Sequence, residues 1–343
     1  MKLLIITQKI DQDDSILGFF HRWVEEFSKY CSQATVIALG VGKYNLPDNV
    51  KILSLGKEKN ISRFKYLINF YKYIWSERKN YDAVFVHMNQ EYIILGSLIW
   101  KILSKKITMW RNHPTGNLFT YLAMMLSDHI FCTSKYSFTM KSKKTKLMPS
   151  GIDTELFKRN PSVTKIKNSV LYIGRIAPVK NIDILIDAVF LIDKLGYDIF
   201  VSIIGDALSN DMQYMSEIKN LAQPLINKGK INFLGSVPND KTPFVYNKYE
   251  IVVNLTDSGS FDKTVLESMA CENLVVLSNK SFVGVIPNQF IFEKRNKKDL
   301  SDKIIKILFL ENSEKIRIAR KLREFVDEKH TLHLLAKELF LFL

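Results

Sequence analysis

Short apolar runs alternate with longer segments of helical period, and the alternation runs twice along the chain. In the first half, Leu3–Thr7, Ala34–Ala38, Val50–Leu55, Ala83–Val86, Ile107–Trp110 and His129–Thr133 read as buried strands. Helical patterns lie between them, over Phe19–Tyr30 and over Ser62–Lys79, where Phe64, Leu67, Ile68, Tyr71, Ile74 and Trp75 recur at helical spacing. Pro149–Asp153 is a turn, and the polar segment 158–168 reads as a linker. The alternation then restarts, with strands at Val170–Ile173, Phe200–Ile204, Ile231–Leu234, Glu250–Leu255 and Leu274–Leu277. Helices are expected over Ile182–Leu195, Met212–Asn227, Phe244–Lys248 and much of Asp299–Leu343. Strands separated by helices pair in parallel, with the helices on both faces. The expected fold is α/β, two doubly wound Rossmann-like domains facing each other across a cleft at the carboxyl ends of their strands.

At 343 residues the chain has room for two cores. Its 47% hydrophobic and 24% charged residues are those of a soluble globular protein. Cys31, Cys132 and Cys271 show neither paired nor metal-type spacing, which suggests a reducing cytoplasm. The N-terminus turns polar too early for a signal peptide, and the longest apolar run, Tyr92 to Trp100, is too short to span a bilayer. The net charge of +14 is uneven: residues 1–160 carry 24 Lys and Arg against 13 Asp and Glu, the remainder 25 against 22. The first half therefore faces something anionic or merely stays soluble by self-repulsion, and no nucleic-acid recognition motif accompanies the charge.

Two loops carry the chemistry. Ser258-Gly259-Ser260-Phe261-Asp262-Lys263-Thr264-Val265-Leu266-Glu267 joins a buried strand to a helix. Backbone N–H groups at such a helix start, together with its partial positive charge, form an anion site, most often for phosphate. Glu267 lies little more than one turn in, within reach of hydroxyls beside that phosphate. An ordinary capped strand–loop–helix is the plainer reading of the same stretch. The other loop, Gly174-Arg175-Ile176-Ala177-Pro178-Val179-Lys180-Asn181, leaves a strand at a glycine and brings two cations to one place. Arg can clamp two oxygens of a diphosphate while Lys adds a point charge; a solvated basic loop is the alternative.

Gly174-Arg175 with Lys180 five residues after the Arg resembles the donor-phosphate loop of retaining glycosyltransferases of group 1. Ser150-Gly151-Ile152-Asp153-Thr154-Glu155-Leu156-Phe157 is similar to their interdomain signature, and Ile204-Gly205-Asp206 to their next strand end. Leu234-Gly235-Ser236-Val237 resembles the loop near the nucleotide base. Leu266-Glu267-Ser268-Met269-Ala270-Cys271 resembles the helix bearing the second acid of the family's Glu-x7-Glu motif. Trp110-Arg111-Asn112-His113 is similar to a strand-end histidine of the acceptor domain. The likeness is strong over 145–280 and weaker before it.

This resemblance implies a GT-B architecture. The expected division is an acceptor-side domain over 1–155, a donor domain over 156–325, and a C-terminal helix over 326–343 that can pack back toward the first. It implies transfer of a hexose-type sugar, with retention, from a nucleotide diphosphate sugar to a glycan or lipid-linked acceptor, with no bound metal or other cofactor. Arg175, Lys180 and helix dipoles would then stabilise the charge growing on the leaving diphosphate. Glu267 would hold ribose hydroxyls, and His113 would face the donor sugar or position the acceptor. Donor contacts are expected from Gly18, Gly174, Ser236, Val237, Ser258, Gly259, Ser260, Phe261, Asp262, Thr264 and Val265. One departure stands out: the first Glu of the motif falls at Gly259, so Asp262, or else Asp257, would have to replace it, or backbone groups alone would serve. Asp262 could equally be a helix N-cap. Asn181 stands where the family usually has Gly.

Competing readings are a sugar-nucleotide epimerase of similar fold and a catalytically inert nucleotide-sugar-binding subunit. The Asp11-Gln12-Asp13-Asp14 loop reads as solvated rather than metal-binding. His21, His87, His330 and His333 read as packed or solvated. The basic and aromatic helix over 62–79 packs on the sheet in the leading reading, with weak contact to an anionic membrane as the second.

Overall fold

The computed structural model describes residues 1–256 and 261–343. They form two compact units, Met1–Gly151 with Leu332–Leu343, and Ile152–Thr331. In the first unit the chain runs β1 (Lys2–Ile10), α1 (Phe19–Ser28), β2 (Gln33–Val41), β3 (Val50–Ser54), α2 (Arg63–Ser76), β4 (Ala83–His87) and α3 (Glu91–Ile102). It continues through β5 (Lys106–Trp110), α4 (Leu118–Leu126), β6 (His129–Cys132) and β7 (Thr145–Leu147). The second unit contains β8 (Ser169–Ile173), α5 (Ile182–Lys194), β9 (Phe200–Ile204), α6 (Met212–Asn227), β10 (Ile231–Phe233) and α7 (Thr242–Lys248). Then come β11 (Ile251–Asn254), α8 (Lys263–Ala270), β12 (Leu274–Leu277), α9 (Lys297–Leu308) and α10 (Asn312–Lys329). The last helix, α11 (Leu332–Phe340), belongs to the first unit.

Both sheets are parallel. Their orders are β3-β2-β1-β4-β5-β6-β7 and β10-β9-β8-β11-β12. Period-two burial explains the first. Leu3 and Ile5 of β1 point into a core shared with Phe20, Trp23 and Phe27 of α1 and Leu335 and Leu339 of α11. Leu4 and Ile6 point the other way, toward Phe70 of α2, Ile93 and Trp100 of α3 and Met124 of α4. In each sheet the strand order reverses once, between β1 and β4 and between β8 and β11. Loops leaving the two strands at such a reversal diverge and open a crevice.

The 158–168 segment is not a free linker. Arg159 Nη1 donates to Asn247 Oδ1 (2.9 Å), and the Asn160 N–H donates to the same oxygen (2.7 Å). Arg323 gathers the turn before it, donating to the carbonyls of Phe157 (2.6 Å), Thr154 (3.1 Å) and Ala270 at the end of α8 (2.6 Å). Polar composition suggested a tether; instead, those polar groups satisfy backbone and side chains of the second unit.

Candidate active site

The second unit builds its site from three glycines at adjacent strand ends. The Gly174 N–H, after β8, donates to Ile204 O (3.0 Å), and the Gly205 N–H, after β9, to Gly235 O after β10 (2.8 Å). Gly174, Gly205 and Gly235 have φ of +152°, +139° and +72°, in the region that favours glycine. At Gly205 the requirement is also steric, since a Cβ there would lie 1.9 Å from the Gly174 carbonyl oxygen. Asp206 fastens the row: its carbonyl accepts from Ile176 N–H (3.0 Å) and its carboxylate from Ser236 N–H (2.9 Å). Ser236 is exposed and Val237 half-buried beside that edge.

Across the reversal, the β8 loop meets the β11 loop. Asn181 adopts φ +47°, and its buried amide donates to Leu255 O (3.0 Å). Asn tolerates this left-handed conformation better than other side chains, so it can replace glycine here and add a bond. Lys180 Nζ lies 2.9 Å from Thr256 Oγ1 and 3.3 Å from Asp262 Oδ2. Arg175 is half-buried, and its guanidinium has no hydrogen bond or ion pair to a described residue.

Asp262 is the N-cap of α8. Its Oδ1 accepts from the Thr264 N–H (3.3 Å) and hydroxyl (3.0 Å); its Oδ2 accepts from Asn254 (3.1 Å), Thr256 (3.1 Å) and Lys180. Burial favours its neutral form, but Lys180 and the three side-chain hydrogen bonds outweigh this and hold it down at about 2. With both oxygens saturated, Asp262 is a poor stand-in for the missing motif acid, and its helix-capping alternative is the one observed. Ser258, Gly259, Ser260 and the other candidate acid, Asp257, lie outside the described residues.

Glu267 is buried on α8. Tyr246 OH donates to its Oε2 (3.1 Å) and Asn239 Nδ2 to its Oε1 (3.3 Å). Burial raises its pKa despite Lys263, Asn239 and Tyr246. The same burial lowers Lys263 to about 7, against the attraction of Glu267 and Asp262. Phe261 is half-buried, its ring 4.9 Å from His330 and 4.8 Å from Phe282. Thr264 is half-buried and spent on Asp262, while Val265 is fully buried and serves the core.

In the first unit, the loop after β5 exposes His113. The Thr115 N–H donates to its Nδ1 (3.1 Å), placing the neutral ring's proton on Nε2. The Thr115 hydroxyl (2.9 Å) and carbonyl (3.1 Å) also lie near Nδ1, the carbonyl being its partner when that nitrogen is protonated. Gly18 caps α1 at φ −55°, a conformation open to any residue. Lys9 pairs with Asp11 (3.1 Å) and Asp14 (2.6 Å), and Lys43 with Asp13 (3.1 Å), so each carboxylate of this acidic loop has a cationic partner. His87 is buried, its ring 4.1 Å from Phe20 and its Nδ1 3.3 Å from Thr7 Oγ1. His330 is not on the last helix but in the break between α10 and α11.

Residues 153–324, half of the chain, match the sequence profile of the family described as glycosyl transferases group 1. The chain belongs to that family. Among similar proteins is an uncharacterized glycosyltransferase of Methanocaldococcus jannaschii, MJ1178, 26% identical over 288 residues. That match covers 78% of this chain and 77% of the relative. Among solved structures, Anabaena Alr3699/HepE, in complex with UDP and glucose, superposes with a TM-score of 0.79 at 17% identity, over 99% of this chain and 98% of that one. WaaG, a glycosyltransferase of lipopolysaccharide biosynthesis, gives 0.70 at 12% identity, with 98% of each chain covered. The fold of this group 1 glycosyltransferase is therefore GT-B, with its seven-stranded and five-stranded parallel sheets.

Asn239, Tyr246, Asn254 and Thr256 were not foreseen as site residues, yet they hold the two carboxylates. Asn254 left one signal, a polar residue inside an otherwise apolar strand run.

Proposed function

We propose that this glycosyltransferase uses a nucleotide diphosphate sugar, with UDP as the leading carrier, and moves a hexose with retention to a glycan or lipid-linked acceptor. The carrying observation is the Arg175 guanidinium, without a described partner, on the loop of the β8–β11 reversal. It shares its loop with Lys180, next to strand ends where three glycines keep Cβ atoms away. Such an edge admits a diphosphate, and two cations stabilise the negative charge that develops as it leaves. The UDP and glucose bound by the HepE structure support the choice of donor. In this reading no metal is required, since Arg175 and Lys180 supply the positive charge. Lys180 is shared: Asp262 occupies it until the diphosphate arrives. Glu267 accepts from the ribose hydroxyls with its remaining acceptor capacity. His113 offers Nε2–H to a sugar hydroxyl. Three buried, unpaired cysteines support a reducing compartment for this chemistry.

The test is nucleotide release from UDP-, GDP- and ADP-sugars by the purified protein, with and without a chelator, and the anomeric configuration of any product. Turnover of a UDP-sugar that survives chelation, keeps its configuration and is lost in Arg175→Ala is expected. Tight nucleotide binding without turnover would assign the protein to the inert class instead.

A further inference from the structure

The two helical layers of the first unit differ in what they show to solvent. Neither α1 nor α11 carries an exposed large apolar side chain. On the opposite layer, Leu98 and Ile102 of α3 and Leu118 and Met125 of α4 are each at least 71% exposed, joined by Phe119 and Leu122. All nine residues of α4 are uncharged, and only Thr120, Ala123 and Met124 are buried. A helix resting on a sheet normally turns polar residues outward; this one turns leucine, phenylalanine and methionine outward. A contiguous patch of this kind marks a contact surface. The neighbouring segment is tied to it: Phe138 packs edge-on against Tyr121 at 5.1 Å, Lys141 stacks on Phe138 at 4.3 Å, and Lys144 donates to Met125 O at 2.9 Å.

Charge selects the occupant. From Glu91, the first residue of α3, to Gly151 there are nine Lys and Arg and two acids, Glu91 and Asp128. The Asp128 carboxylate is bonded to the Ile107 N–H at 2.7 Å. Exposed Lys101 sits beside Ile102, exposed Lys141 ends the 138–141 turn and exposed Lys143 follows it. A second copy would bring this surplus of positive charge against itself. We infer that the α3–α4 face docks on the surface of a lipid bilayer with anionic headgroups, its apolar side chains in the headgroup boundary and its lysines against the phosphates. The helix α2, singled out by its basic and aromatic sequence, edges this layer: Tyr71 OH donates to Leu95 O at 3.1 Å.

Flotation of the full chain with vesicles tests this independently of any sugar transfer. Phosphatidylcholine vesicles with and without a quarter phosphatidylglycerol would be compared at low and high salt. Binding should need the anionic lipid and weaken with salt. It should fall at least about tenfold in Phe119→Ser/Met125→Ser and in Lys141→Glu/Lys143→Glu. Leu341→Ser, which removes a side chain 76% exposed and outside α3 and α4, should bind as the parent does. Equal melting temperatures would show that all variants fold. No binding to anionic vesicles at low salt overturns the inference. So does an equal loss in Leu341→Ser, or a self-association without vesicle binding that Phe119→Ser/Met125→Ser abolishes.

Discussion

Lys180 Nζ and Asp262 Oδ2 lie 3.3 Å apart and join the loop after β8 to the loop after β11. A cation suited to a phosphate is thus held by a carboxylate that also starts a helix. Because Asp262 is held near 2, below its usual 3.8, its contribution to stability is present above about pH 4 and fades as pH falls through 2. Asp262→Ala removes the cap and strands Lys180, and should lower stability by about 2–4 kcal/mol. Asp262→Asn keeps a good cap and should lose about 1 kcal/mol. It should also bind nucleoside diphosphate more tightly than the parent, since it frees Lys180 and removes a negative charge. Denaturant unfolding and titration calorimetry check both; weaker diphosphate binding by Asp262→Asn would contradict the shared-lysine reading.

Gly205→Ala should be among the most damaging single changes. Its Cβ would meet the Gly174 oxygen at 1.9 Å, and φ +139° is itself strained for alanine. Backbone must move at two strand ends together, so a loss of about 3 kcal/mol or more is expected by thermal or urea unfolding. Gly196→Ala, where a Cβ meets nothing within 4 Å, should cost only the strain of φ +80°.

Glu267→Ala leaves Tyr246 OH and Asn239 Nδ2 without their buried acceptor. It should lower stability by about 2–4 kcal/mol, with Glu267→Gln recovering part of it. If the carboxylate grips ribose, Glu267→Gln should weaken binding of a ribonucleotide while leaving pyrophosphate binding unchanged. Calorimetry with both ligands separates the two effects.

His330 gives a pH signature. Burial, with Lys263 and Lys329 nearby, pushes its pKa from the usual 6.5 down to about 4. Between those values the unfolded chain holds a proton that the folded chain does not, so stability falls as pH drops from about 6.5 to about 4. The loss should reach up to about 3 kcal/mol, and His330→Gln should flatten it. Melting curves between pH 4.5 and 7 for parent and variant would show it; parallel pH profiles would refute it.

Sheet content was readable because strands buried on both faces are written as unbroken apolar runs: Leu3 to Ile6 could be little else. Gly174 and the Arg175–Lys180 loop were legible because a turn at a strand end and a pair of charges leave local marks, whereas Gly205 and Gly235 were marked only by the family resemblance. What escaped notice depended on distance. Nothing near Asp262 in sequence says that Lys180, 82 residues earlier, neutralises it. Nor does Glu267 announce Tyr246 and Asn239 as its donors. The apolar outward face of α4 was missed because Leu118–Leu126 looks like any buried helix until its neighbours are known.

The helix α11 completes the core of the first unit: Leu335 packs under Gly151, and Leu332, Ala336 and Leu339 join Trp23 and Phe27. During synthesis these side chains emerge only after the intervening residues 152–331 have been translated. At roughly 5–20 residues per second, the earliest-made sheet therefore waits on the order of ten seconds or more with one flank uncovered. The order of birth is thus the reverse of the order of completion, and the interior of the second unit can close first.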